Sequence, residues 1–163
     1  ARSGVGGTAA KKTQIARSIG SGEDMLLVAP SQHLELIAVF ALEGSSAAEF
    51  GLELCHGAAP GVPITYSAAE RSVNVAGSVA LLGKSDLLGA DLLRLHVFWD
   101  ASVREVVIDG GEAGVTRILY PDPMQLGLRL WASGGSVGLA SLKVWDLMPI
   151  WDDEGEAQAV AKF

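Results

Sequence analysis

Apolar and polar residues alternate along the central part of the chain with the period of a β-strand. From Leu34 to Leu42 every even-numbered residue is apolar, so one face of this segment is expected to be apolar throughout. Shorter stretches of the same alternation follow at 50–55, 72–76, 93–99, 126–130 and 137–147. Turn signals such as Asp109-Gly110-Gly111 separate the segments at spacings of roughly 8–12 residues. The pattern predicts an all-β fold, with two antiparallel sheets packed as a β-sandwich of the jelly-roll, concanavalin-like kind.

The composition divides the 163 residues into three zones. Residues 1–28 are rich in Gly, Ser, Ala and Thr and carry four basic residues, which is typical of a flexible basic arm or linker. Residues 29–151 hold the strand pattern and form the predicted sandwich domain, which is large enough to bury a core without a metal or a disulfide. Residues 152–163 open with four acidic residues in five positions and predict a solvated acidic tail.

Charge and cysteine content exclude several classes of partner. The chain has 12 Lys and Arg against 19 Asp and Glu, and this net charge of −7 argues against nucleic-acid binding. No run of 18 apolar residues is present and 1–28 has no apolar signal-peptide core, so no membrane partner is expected and the compartment stays unknown. Cys55 is the single cysteine and the three histidines lie far apart, so neither a metal site nor a cofactor is expected.

The string Gly134-Gly135-Ser136-Val137-Gly138 matches the G-x-S-x-G pattern of a serine-hydrolase nucleophile. That motif requires a helix after the serine, whereas the residues here continue as an alternating strand. We therefore predict a glycine-rich hairpin turn and no nucleophile.

The tryptophans fall into two groups by their place in the strand pattern. Trp99 and Trp145 lie in apolar registers and are predicted to be core residues. Trp131 and Trp151 lie at strand ends, where an indole can stack on a sugar or contact another domain.

Glu105 is the carboxylate with the most unusual context. It shares a strand face with Val103 and Val107, which predicts that it is buried, and Arg117 is the candidate partner. An internal Glu105–Arg117 ion pair that fixes strand register is the favoured interpretation. The alternatives are a site for sugar hydroxyls and a catalytic dyad, for which no second poised carboxylate is evident.

Several segments, in order, resemble the C-terminal β-sandwich of glycoside hydrolase family 32, which comprises invertases, levanases, inulinases and other β-fructosidases. Two stretches carry most of the resemblance, and the matching residues are Asp100, Ser102, Val103 and Glu105, followed by Thr116, Arg117, Tyr120 and Pro121. The strands around Phe50-Gly51-Leu52-Glu53-Leu54 and Ala140 to Leu147 resemble that family's sandwich as well.

The resemblance implies a non-catalytic module. Enzymes of the family carry nucleophile and general acid on an N-terminal five-bladed β-propeller, and its Asn-Asp-Pro, Arg-Asp-Pro and Glu-Cys motifs do not occur here in a propeller pattern. The implied function is to pack on and stabilise that propeller, with no catalytic residue in this chain and no hydrolysis of sucrose or fructans by it alone. The first residue, Ala1, and the linker-like arm favour a piece of a longer protein.

Two alternatives stay open. The chain also resembles carbohydrate-binding module family 66, which implies a stand-alone module that binds fructan or fructose. Its expected carbohydrate-binding residues are Glu105, Arg117, Asp100, Tyr120 and Trp131. The other alternative is an unrelated lectin-like sandwich, because a fold does not determine a ligand.

Overall fold

The computed structural model describes residues 17–29, 31–83, 91–109, 111, 113–120 and 122–147. The regular secondary structure of these residues consists of β-strands, with no helix among them. The strands are β1 (Arg17–Ile19), β2 (Met25–Val28), β3 (His33–Ala41), β4 (Glu49–His56), β5 (Val62–Ser67), β6 (Ser72–Val75), β7 (Ser78–Leu81), β8 (Leu92–Asp100), β9 (Val103–Ile108), β10 (Ala113–Ile118), β11 (Gly127–Ser133) and β12 (Val137–Asp146).

The strands make two antiparallel sheets of six strands each. Sheet A has the order β1-β12-β3-β8-β9-β10, and sheet B has the order β2-β11-β4-β5-β6-β7. The chain crosses between the sheets several times, as in a sandwich whose two inner faces share one core. The predicted all-β sandwich is confirmed.

The core lies between the sheets and follows from the alternation in the sequence. In β3 the even-numbered residues from Leu34 to Phe40 are all buried, while the odd-numbered residues are partly or fully exposed. Aromatic rings pack across the core between the sheets: the ring centroid of Phe40 in sheet A lies 4.9 Å from that of Phe50 in sheet B. Within sheet B, the ring centroids of Phe50 and Tyr66 lie 5.0 Å apart. Each such pair contributes about 0.5–1.5 kcal/mol beyond the area it buries.

A β-bulge changes the facing of the last strand. The register of β12 against β3 shifts between Leu139 and Ser141, so Leu142 is buried in the core while Lys143 and Trp145 lie on the outer face of sheet A. The prediction that Trp145 is a core residue is therefore wrong, because the extra bulge residue reverses the alternation. Trp99, which lies in a regular strand, is fully buried as predicted.

Two short strands lie in the segment whose composition predicts an arm. β1 pairs with β12 and β2 pairs with β11, so residues 17–28 contribute to the sheets rather than to the predicted arm. Ile19 and Met25 are the buried anchors, and a few apolar residues among glycines leave no visible alternation in the sequence. Residues 1–16 and the predicted acidic tail at 152–163 lie outside the described residues.

The glycine-rich string around Ser136 is a turn without a helix, but the predicted hairpin is wrong, because β11 lies in sheet B and β12 in sheet A and the turn joins the two sheets. Gly134 and Gly135 have φ values of 71° and 153°, which favour glycine, and they connect β11 to β12 without a helix. The backbone N–H of Ser136 donates to Ser46 Oγ at 3.0 Å, which connects this turn to the loop between β3 and β4.

Candidate functional site

The five residues predicted to bind carbohydrate do not form one site. Asp100 and Glu105 are exposed on the outer face of sheet A, whereas Arg117 points toward the space between the sheets. Tyr120 follows β10 and is 86% exposed, and Trp131 lies on the outer face of sheet B. Trp151, the other predicted platform, lies outside the described residues.

The predicted Glu105–Arg117 pair is wrong. Strand β9 buries Arg104, Val106 and Ile108, so Glu105 is exposed on the opposite face with Val103. Arg117 is the cross-strand neighbour of Arg104 and donates instead to the carbonyl of Ala76 at 3.2 Å. The alternation alone does not distinguish the two faces of β9, because burying Glu105 with two valines and burying Arg104 with Val106 and Ile108 fit it equally well.

Arg104 is the most deeply buried charge in the described part of the chain, at 0% exposure. Its Cζ lies 4.5 Å from the centroid of a Trp99 ring, and Nη1 donates to the carbonyls of Ala101 and Val103. Nη2 lies 3.5 Å from the sulfur of Cys55. Burial lowers the pKa of Arg104 from its usual value. Within the described residues no carboxylate pairs with it, and its charged form is stabilised by the two carbonyl oxygens and the indole face.

Cys55 is buried and belongs to the hydrophobic core. It occupies a bulge of β4 against β11 with a φ of 58°. Burial raises the pKa of its thiol, and the hydrogen bond from Arg104 opposes that rise. The thiol is therefore protonated at neutral pH and packs as part of the core.

The outer face of sheet A carries an apolar surface crossed by histidine–carboxylate contacts. One cross-strand row runs from Trp145 through Glu35 and Phe98 to Glu105. The Nε2 of His96 lies 2.7 Å from Glu35, and its ring centroid lies 4.4 Å from that of Phe98. Asp100 is one of the predicted site residues, and its Oδ1 lies 2.7 Å from Nδ1 of His33.

The outer face of sheet B carries a network of charged groups that the sequence analysis did not anticipate. Arg129 Nη1 donates to Glu53 at 3.0 Å, and Arg129 Nε donates to Asp24 at 2.7 Å. The other oxygen of Glu53 accepts the N–H of Gly61 at 2.6 Å and lies 3.3 Å from His56 Nδ1. The available signal is the charge of Glu53 among the apolar residues from Phe50 to Cys55 of β4, and of Arg129 in β11, which register opposite each other.

The surroundings of Glu53 favour its ionised form. Burial is the largest influence and raises its pKa, but the hydrogen bonds from Gly61, Arg129 and His56 together hold the pKa below the ordinary value. On the other side of the network, the hydrogen bond to Asp24 raises the pKa of Arg129, and burial opposes it. Glu53 and Arg129 are therefore both charged at neutral pH.

We expect Glu53→Gln to lower the free energy of unfolding by about 1–3 kcal/mol at pH 7. Because the folded pKa of Glu53 lies below its unfolded value, this stabilisation is present above the pKa of an ordinary glutamate, about 4.3. It is lost as the pH falls through the folded pKa. Urea unfolding at several pH values therefore gives a difference between wild type and Glu53→Gln that shrinks below about pH 4. Glu49→Gln, an exposed position on the same strand, is the control; a difference that grows on acidification would contradict the account.

One end of the sandwich has an open cleft of about 250 Å³ between the loops that follow β4 and β10. Its wall includes Tyr120, Asp122, Pro60 and Val62, and Cys55 lies at its base. The carboxylate of Asp122 accepts a hydrogen bond from the backbone N–H of Met124 at 2.9 Å, and this contact stabilises the loop after β10. Among the predicted site residues only Tyr120 borders this cleft.

The described residues contain no group of three or more His, Cys, Asp and Glu side chains placed to hold a metal ion. They also include no helix with the length and apolar character needed to cross a membrane.

Residues 5–146 match the family model described as "Glycosyl hydrolases family 32 C terminal". A levanase from Bacillus sp. (strain L7) is 29% identical over an alignment of 153 residues, and the alignment covers 86% of this chain and 17% of that protein. The sucrose-6-phosphate hydrolase of Escherichia coli is 40% identical over 57 residues, 35% of this chain and 12% of that protein. The chain therefore spans less than a fifth of the curated relatives it matches.

Solved structures of longer proteins share the fold. The exo-inulinase of Aspergillus awamori superposes with a TM-score of 0.72 at 18% identity, over 87% of this chain and 31% of that chain. The β-fructofuranosidase of Aspergillus kawachii gives a TM-score of 0.72 at 14% identity, over 87% of this chain and 28% of that chain. Fructan 1-exohydrolase IIa of Cichorium intybus gives 0.65 at 13% identity, over 85% and 35%. At these identities the likeness concerns the fold.

Proposed function

The chain belongs to the family of C-terminal domains of family 32 glycosyl hydrolases, and on that premise we propose that it is the non-catalytic β-sandwich of a β-fructosidase-like glycoside hydrolase. In this function it packs on a catalytic β-propeller carried by the same longer protein and stabilises it. The lengths of the relatives support the proposal, because this chain covers 17% of the levanase and 31% of the exo-inulinase chain.

The observation that carries the proposal is a group of partly or fully exposed apolar side chains on the outer face of sheet A, most of them on its central strands. We call this group the docking face: Ile37, Phe98, Val103, Val107, Ile118 and Trp145. The central strands of sheet B present charged and polar side chains outward, such as Glu53, Arg129 and Thr65. The exposed apolar residues of sheet B lie on its edge strands β2 and β7: Leu26, Val28, Val79 and Leu81.

Such a face suits another folded domain of the same protein. Aromatic residues are enriched at the centres of protein interfaces, and a contiguous exposed apolar patch is uncommon on a surface that faces only water. The hydrogen-bonded pairs His96–Glu35 and His33–Asp100 interrupt the docking face with polar groups, which is typical of interfaces between domains of one chain. We therefore propose that sheet A contacts the catalytic domain and sheet B faces solvent.

The docking variants Phe98→Ser and Ile118→Glu are expected to weaken association with the catalytic domain encoded in the same protein by about tenfold or more. Calorimetric titration of that domain with the chain measures the affinity, and a thermal melt of the mixture measures the stabilisation. Ile118 is 63% exposed, so its substitution leaves the sandwich itself folded.

The control for this experiment is Trp131→Ala, on the outer face of sheet B, which should associate like the wild type. Wild-type affinity of both docking variants, or loss of association in Trp131→Ala alone, would assign the contact to a different face. Absence of association and of stabilisation with the wild-type chain would overturn the proposed function.

Fructan or fructose binding is the second candidate function. The separation of Asp100, Glu105, Arg117 and Tyr120 over different surfaces argues against the single site expected from the sequence. Trp131 is the exception, because it lies beside fixed polar groups on the face that the docking proposal leaves open.

A further inference from the structure

Trp131 is an aromatic side chain on a polar sheet surface. It lies in β11 on the outer face of sheet B and is partly exposed. Its cross-strand neighbour in β4 is Gly51, which has no side chain, and Thr65 of β5 is the next residue across the sheet. The core does not hold this indole, and no aromatic ring of the described residues pairs with it.

The guanidinium of Arg129 is fixed beside the indole. Its Cζ lies 5.9 Å from the centroid of a Trp131 ring, and two carboxylates hold it through Nε and Nη1. Within the described part of the chain, Nη2 has no hydrogen-bond partner, so its two N–H groups remain for a ligand. A donor already held in place loses little conformational entropy when it binds.

Charge and exposure identify the class of ligand. The charge of Arg129 is already neutralised by Asp24 and Glu53, and the whole chain carries a net charge of −7, so phosphate and other polyanions are disfavoured. Leu26, the cross-strand neighbour of Arg129 in β2, adds an apolar side chain that is 61% exposed. The surface offers an aromatic ring for C–H groups and a fixed donor for hydroxyl oxygens, which together complement a neutral polyol.

We propose that Trp131, Arg129 and Leu26 form a binding site for a neutral oligosaccharide on the outer face of sheet B. Trp131 stacks on one sugar ring, and Arg129 donates to a hydroxyl of the same or the next ring. Asp24 and Glu53 are positioning residues, because they act on the ligand through Arg129. The site lies on the side of the sandwich opposite the docking face and stays accessible when the catalytic domain is bound.

Calorimetric titration of the full chain tests this site with three probes: an inulin-type oligosaccharide, a levan-type oligosaccharide and maltoheptaose. The choice of fructans rests on the proposed function, whereas maltoheptaose tests the site independently of it. We expect millimolar or tighter binding of at least one probe and a loss of about tenfold or more in Trp131→Ala. Trp131→Phe keeps a ring and is expected to lose less.

Phe98→Ser is the matched control, since it removes an aromatic ring from the opposite face and should bind the probe like the wild type. Thermal melts of all variants separate lost binding from lost folding. Binding of maltoheptaose alone would support the site and count against a fructan ligand. Absence of binding to all three probes, or equal affinity of wild type and Trp131→Ala, would overturn the proposal while leaving the docking test unaffected.

Discussion

Arg104→Ala is expected to lower the free energy of unfolding by about 3–5 kcal/mol, the largest loss among the variants considered. The substitution removes a side chain with 0% exposure from the inner face of sheet A. It leaves a cavity against the indole of Trp99 and takes a donor from the carbonyls of Ala101 and Val103. Urea unfolding followed by tryptophan fluorescence measures the change.

Two further substitutions at the same position distinguish shape from charge. Arg104→Met fills most of the volume without burying a charge and is expected to recover the greater part of the lost stability. Arg104→Lys keeps the charge but lacks the planar fork that stacks on Trp99 and reaches the two carbonyls. We therefore expect the lysine variant to be less stable than the methionine variant. Wild-type stability of Arg104→Lys, or an Arg104→Ala variant without loss, would contradict this account of the buried guanidinium.

Gly51→Ala is expected to destabilise the chain by about 2–4 kcal/mol, although it adds a single methyl group. A Cβ at this position would lie 1.9 Å from the carbonyl oxygen of Ile64 on the neighbouring strand, a distance that no real structure tolerates. Strands β4 and β5 would have to separate in the middle of sheet B, and their ladder of hydrogen bonds would weaken. A shift of the thermal midpoint by several degrees is the expected readout.

Gly114→Ala is the matched control for this prediction. Gly114 lies in the edge strand β10, and the nearest atom to an added Cβ is the carbonyl oxygen of Val106 at 3.7 Å, an ordinary contact. Alanine at 114 should therefore be neutral or slightly stabilising, since glycine weakens strands. Equal effects of the two substitutions would show that the register of β4 against β5 differs from the one described.

The sequence predicted those strands in which one register is clearly more apolar than the other. β3 and β8 each have an apolar residue at every second position, and both are buried as the alternation indicates. Both registers of β9 contain apolar residues, so its pattern does not show whether Arg104 or Glu105 is buried. The indole of Trp99, which favours Arg104, comes from the neighbouring strand and cannot be inferred from β9 alone.

Local irregularities limited the prediction elsewhere. The bulge near Ala140 moves Trp145 to the outer face, and a single inserted residue has no signature in the sequence pattern. Similarly, β1 and β2 are edge strands of three and four residues, too short to show a period. These errors share a cause, because side-chain facing depends on pairing between strands that are distant in sequence.

The candidate sites were less predictable than the fold. The predicted Glu105–Arg117 pair rests on the opposite charges of the two residues, yet the strands that carry them turn these side chains to opposite faces. In contrast, Glu53 and Arg129 are 76 residues apart and meet because β4 and β11 are neighbours in sheet B. The alternation within β11 already places Trp131 on the same face as Arg129, but only the strand order shows that Glu53 lies beside them.

Hydroxyl-radical footprinting tests the proposed docking most directly, because it reports the solvent access of individual aromatic side chains. The chain would be labelled alone and as part of the protein that contains its catalytic domain. We predict that Phe98 and Trp145 react several-fold more slowly in the longer protein, whereas Trp131 reacts at the same rate in both. Protection of Trp131 with unchanged reactivity of Phe98 and Trp145 would contradict the assignment of sheet A as the face that contacts the catalytic domain.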